Sequence, residues 1–172
     1  MPTVDELAAF PRLTSLNRTD LAVLAELGHT VSFSAGQRVL VEGGPADRCL
    51  LIRTGRVVLD AQVPGRGDVV IQTLGGGDLL GWSWLVPPYR WHFGAQATES
   101  VDAVEFDSAR LREAAETDPR FGRALTMMLF EALLERLQAT RARLLDLYRN
   151  PHEGNEKPHR ETHRAGPDRS HP

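Results

Sequence analysis

Hydrophobic positions along this chain change period twice. From Thr3 to Leu27 they recur at helical spacing in two short segments; the first is broken by Pro11, and the second runs from Asn17 to Leu27. Asn17, or Thr19 with Asp20, supplies the cap of that second helix, and Gly28 ends it. From His29 to Asp107 the pattern becomes a series of short β-rich runs, TVSF, RVLV, CLLIRT, RVVLDAQV, DVVIQTL and AVEF. Turn residues separate them at Ala35-Gly36, Gly43-Gly44-Pro45, Thr54-Gly55 and Pro64-Gly65-Arg66-Gly67. Runs at this spacing fit an antiparallel all-β unit, a compact roll or barrel, better than crossover units with parallel strands.

Helical spacing returns at Ser108. A short helix is predicted to stop near Asp118-Pro119, because proline disfavours helical geometry in the residue before it. A longer one runs from Pro119 to Arg149, with one apolar face passing through Phe121, Leu125, Met128, Leu129, Leu133 and Leu137 to Leu144, Leu145 and Tyr148. A helix of about 30 residues reaches about 45 Å, more than a small roll covers, so the surplus points to a partner helix, most simply from a second copy. From Asn150 on the chain has almost no large apolar residue to offset its ordering entropy, and a disordered tail is expected there.

Composition narrows the class of protein. At 172 residues there is room for one ordinary domain with appendages. The 41% hydrophobic and 25% charged residues are those of a globular protein, and no apolar run approaches a membrane span. The N-terminus lacks the basic and then apolar segments of a secretory signal, so a cytoplasmic location is expected. Net charge is −3 with the two signs interspersed, which argues against a basic face for nucleic acid. Cys49 stands alone in an apolar stretch and reads as a small core hydrophobe, while His152, His159, His163 and His171 match no compact metal-ligand spacing. Neither a metal set nor a nucleophile with its base is visible, so no enzyme activity is expected.

The segment from Phe33 to Gly55, FSAGQRVLVEGGPADRCLLIRTG, resembles the start of the cyclic nucleotide-binding domain family. Phe33 and Gly36 precede a strand, Glu42-Gly43 makes a turn, an Ala46-Asp47 step comes next, and an apolar strand leads to the tight-turn glycine Gly55. Independently of any name, Gly36, Gly43 and Gly55 permit the positive φ that turns between roll strands need. Gly77-Asp78-Leu79-Leu80-Gly81 resembles the family's approach to its phosphate-binding cassette, where the amides of a short helix face the cyclic phosphate. The resemblance runs from Glu6 to about Tyr148. It implies a mainly β fold with flanking helices (α+β): an antiparallel β-roll or jelly roll with N-terminal helices and a long C-terminal dimerisation helix. The divisions expected are an N-terminal helical segment over 1–28, the β-roll over 29–107 with its cassette-like segment at 75–95, helices over 108–149 and the tail over 150–172.

The cassette itself departs from the family pattern. Trp82 stands where the family has a glutamate for the ribose hydroxyl; Arg90 falls slightly earlier than the phosphate-binding arginine, and Trp91-His92 replace the small or hydroxyl residue behind it. The candidate ligand-binding residues are Gly81, Trp82, Ser83, Trp84, Arg90, Trp91 and His92, with Arg90 as the clamp on an anion and Tyr89, Phe93 and the tryptophans as stacking surfaces. The resemblance implies a regulatory sensor for a small anionic ligand, a cyclic nucleotide such as cAMP or cGMP, dimeric through residues 119–148 and signalling to a protein partner. The alternatives are a ligand-free interaction domain that docks through the aromatic loop 82–93, and a relative of transcriptional regulators lacking the DNA-binding part.

Overall fold

In the computed structural model the described residues are 1–149, so the expected tail and its histidines lie outside them. The chain divides into two units, Met1–Glu135 and Arg136–Pro172. The first unit opens on a one-and-a-half-turn helix, α1 (Val4–Ala8), whose cap Thr3 exchanges hydrogen bonds with Glu6. Pro11 breaks it as expected, and a single 3-10 turn over Pro11–Leu13 leads to α2 (Arg18–Leu27). There Asn17 is the cap: its side-chain oxygen accepts from the amides of Thr19 and Asp20, and the Asp20 carboxylate accepts from the Asn17 amide. Gly28 leaves the helix in extended geometry and continues directly as a strand.

Eight strands make up the middle of the chain: β1 (Gly28–Phe33), β2 (Arg38–Leu40), β3 (Arg48–Thr54), β4 (Val57–Val63), β5 (Gly67–Leu74), β6 (Leu79–Leu80), β7 (Gly94–Ala97) and β8 (Val101–Asp107). They form two four-stranded antiparallel sheets, ordered β1-β8-β3-β6 and β2-β7-β4-β5. The chain passes from one sheet to the other at every step except the β4–β5 hairpin, and the fold class expected from the sequence is the one adopted. Six strands match the apolar runs; β6 and β7 were not among them. At Gly55, where β3 turns into β4, φ is +84° and a Cβ would stand 2.2 Å from the Ser100 carbonyl oxygen, so the turn closes only over glycine. Gly36 and Gly43 also take the positive φ expected of them.

Strand β3 shows why the core has two halves. Cys49, Leu50, Leu51 and Ile52 are all buried, although successive side chains on a strand point to opposite faces. Cys49 and Leu51 meet Leu24 of α2, together with Leu111 of α3 (Ser108–Thr117) and Leu125, Met128 and Leu129 of α4 (Pro119–Arg149), around a void of only about 20 Å³. Leu50 and Ile52 therefore turn to the other face, the interior of the roll. Helix α4 buries Phe121, Leu125, Met128 and Leu129 but leaves Met127, Phe130, Leu133 and Leu134 exposed. In the second unit Leu137, Leu144, Leu145 and Tyr148 are exposed as well. No helix among the described residues is long and apolar enough to cross a membrane.

Candidate functional site

The cassette-like segment hangs between β6 and β7. Its approach is pinned to β3: the Gly77 amide donates to the Ile52 carbonyl at 2.8 Å, the Ile52 amide to the Asp78 carbonyl at 3.0 Å, and the Asp78 carboxylate accepts from the Gly75 amide at 2.9 Å. Gly81 then takes φ +85°, and any Cβ there would meet the Trp91 ring at 2.9 Å. Beyond Gly81 the chain departs from the expected short helix. Only a three-residue 3-10 turn forms, over Ser83–Leu85: Trp82 at its cap position makes no side-chain bond to the free amides, and Pro87-Pro88 follow one residue after the turn. A loop from Val86 to Arg90 lies exposed beyond it.

The seven candidate residues fall into separate surroundings. Ser83 is buried, and its hydroxyl pairs with Nδ1 of the exposed His92 at 3.0 Å, tying the two ends of the segment together. Trp82 is half-buried and meets Phe93 edge-on, with ring centroids 6.2 Å apart. Trp91 is buried: its backbone pairs with Gly43 and Gly44 in the β2–β3 turn while its ring reaches Gly81 beyond β6. Arg90 stays at the exposed rim, where Nη1 donates to the Gly43 carbonyl at 2.7 Å.

Trp84 leaves the group altogether. It is buried on the helical side of β3, where its indole N–H has no nitrogen or oxygen acceptor and lies beside the Cys49 thiol. Burial pushes that thiol up to about 12, against a smaller opposing pull from the indole N–H, which keeps Cys49 protonated and without nucleophilic character. Beneath Gly81, Arg48 bonds the Asp47 carboxylate at 2.9 Å and Glu105 at 3.2 Å. Its hydrogen bond holds the Asp47 carboxyl below its ordinary value, and the same bond raises the guanidinium above its own.

Arg112 on α3 escaped the reading of the sequence. Its Nη1 donates to the Trp84 carbonyl at 3.1 Å, and its guanidinium lies 4.8 Å from the centre of the Tyr89 ring. Tyr89 in turn holds φ +56°, a conformation side chains rarely adopt, with its carbonyl accepting from the Ala46 amide at 2.8 Å. An arginine in a helix with charges throughout gives no sequence signal for such a role.

A family model described as the cyclic nucleotide-binding domain matches residues 30–118. The CRP-like cAMP-activated global transcriptional regulator of Mycobacterium tuberculosis is 28% identical over 127 residues, 74% of this chain and 55% of that protein. The cAMP-dependent protein kinase regulatory subunit of Eremothecium gossypii is 39% identical over 77 residues, 45% of this chain and 16% of that one. The chain thus spans about half the length of the regulator it matches and less of the kinase subunit. Among solved structures, a Geobacter metallireducens protein described as cyclic nucleotide-binding superposes with a TM-score of 0.72 at 28% identity, covering 80% of this chain and 99% of that one. A family model that matches over half of the 172 residues shows that the chain belongs to the cyclic nucleotide-binding domain family, a family of regulatory domains.

Proposed function

We propose that this chain is a ligand-sensing module of that family, in which a small anionic ligand, cAMP or cGMP, occupies the cassette and biases the position of α3 and α4. The observation that carries the reading is Arg112. By holding both the Trp84 carbonyl and the Tyr89 ring, it joins the cassette loop directly to α3, so two arrangements of the loop are two arrangements of the helix. A ligand shifts that balance only by binding one arrangement better. Arg90 is the anion clamp in this reading, since one bond to Gly43 leaves the rest of its N–H donors for phosphate oxygens. Gly81, Trp82, Ser83 and His92 are assigned to the same ligand site in this reading, whereas Trp84 and Trp91 act through packing. Residues 29–107 are the sensing part and 108–149 the output; the chain works in the cytoplasm, engages neither nucleic acid nor membrane, and catalyses nothing.

Isothermal titration with cAMP and cGMP tests this. Saturable heat with at least one nucleotide is expected, and Arg90→Ala should weaken it by about tenfold or more, the contribution of a charged hydrogen bond. Equal affinity in the variant would remove Arg90 from the site, and no heat with either nucleotide would end the cyclic-nucleotide reading.

A second reading rests on Trp91, whose buried ring fills the space between Gly44 and Gly81 with the protein's own atoms. On that reading the roll needs no ligand, and the exposed loop from Val86 to Arg90 docks a protein partner. Quenching of tryptophan fluorescence by the partner but by neither nucleotide would favour it.

The output side is proposed to be a homodimer through residues 119–148, because Phe130, Leu133 and Leu134 are left exposed on α4. Leu133→Asp places a charge in that face and should reduce the mass measured by analytical ultracentrifugation from dimer to monomer. An unchanged dimer mass would place the interface elsewhere.

A further inference from the structure

A cleft of about 490 Å³ lies outside the roll, between the cassette turn and the α3–α4 corner, and no strand residue lines it. Its size is that of a small-molecule site. Trp84, Leu85, Ala115, Pro119 and Leu125 give it apolar walls, and Arg112 is its fixed cation.

The Arg112 guanidinium is held in place by the Trp84 carbonyl and the Tyr89 ring rather than waving in solvent. Among the described residues it forms no ion pair, although Glu116 lines the same cleft one helical turn along. Most of its donors are therefore uncommitted while its orientation is fixed, the preorganisation that carboxylate recognition rewards. The Tyr89 backbone, in left-handed geometry, is tied down by the Ala46 amide at 2.8 Å.

We propose that this cleft binds a small organic monocarboxylate, its carboxylate on Arg112 and its apolar body against Leu85, Ala115 and Leu125. Glu116 argues for a single negative charge over the two of a phosphate monoester, since a second charge would face its carboxylate. The cleft shares Trp84, Leu85 and Tyr89 with the cassette segment as one wall, but neither Arg90 nor any strand of the roll lines it.

The test is a titration of the whole chain monitored by amide NMR, with 3-phenylpropionate as probe and 3-phenylpropionamide as its neutral match. The acid should give saturable shifts at millimolar concentration or below, centred on Arg112, Ala115 and Thr126, and should bind about tenfold more tightly than the amide. Arg112→Gln should abolish the difference between the two. Because that change also frees the cassette loop, a second variant is needed: Thr126→Trp fills the cleft from an exposed position and should block the acid while the rest of the spectrum is unchanged. Arg90→Ala should bind the acid as the parent does, so this result stands or falls apart from the cyclic-nucleotide titration. Equal binding of acid and amide, shifts centred on the roll, or no saturation would each overturn the proposal.

Discussion

Replacing Arg38 by alanine is expected to lower folding stability by about 3–5 kcal/mol, more than any surface ion pair would. Arg38 on β2 and Asp60 on β4 flank β7, and the guanidinium crosses it to bond the carboxylate twice, at 2.5 and 2.7 Å. The Asp60 side chain is only 5% exposed. Removing arginine therefore leaves a buried carboxylate without its counter-charge, and the loss is that of an orphaned charge rather than of one contact. The crossing is feasible because β7 begins with Gly94, where a Cβ would lie 2.3 Å from the Asp60 carboxylate and 2.5 Å from the guanidinium. Gly94→Ala should accordingly act in the same direction. Arg38→Met combined with Asp60→Leu should recover much of the loss, since apolar residues of similar size carry no desolvation cost. Urea unfolding monitored by circular dichroism reads all of these. A loss below about 1 kcal/mol in Arg38→Ala would mean that the pair behaves as a solvated one.

Much of this roll was legible because its turns are chemically specified. Glycines stand where φ must be positive, and apolar runs of strand length lie between them; Pro11, Asn17 and Gly28 mark their helix boundaries for the same kind of local reason. Strands β6 and β7 were not legible. Leu79–Leu80 is too short to show a period, and Gly94–Ala97 contains no branched or aromatic residue; its small side chains pack between β2 and β4, a fact about neighbours rather than about the segment. The cassette failed in a different way. The family expectation of a helix met a tryptophan at the cap, and the one hydroxyl nearby, Ser83, is engaged by His92. Three tryptophans close in sequence read as one aromatic group, yet Trp84 joins the helices and Trp91 the roll. Adjacency along the chain does not fix which side of a loop faces which half of the core. Helix α4 shows the same limit: periodicity marks its whole apolar face, but only contacts tell that the face is covered at Phe121 and Leu125 and open at Leu133.

Trp91→Ala should be the other large loss, about 3–5 kcal/mol, because truncating a buried aromatic forfeits its transfer free energy and leaves a cavity. Trp91 is 6% exposed and reaches from Gly44 in the β2–β3 turn to Gly81 beyond β6. Neither end can easily close the gap. Gly44 and Gly81 have no side chains to move in, and the Gly43 and Gly44 backbones remain paired with residue 91 through its own amide and carbonyl. The cavity should therefore persist rather than collapse, and a dry apolar cavity of that kind takes up a matching apolar molecule. Indole added to the Trp91→Ala protein should raise its unfolding temperature and leave the parent unaffected. If the loss is large but indole restores nothing, the roll has collapsed and Trp91 serves as a strut. Restoration by indole would show that the space the ring fills is retained when the ring is gone, which separates a cassette whose space its own tryptophan occupies from one that has lost that space altogether.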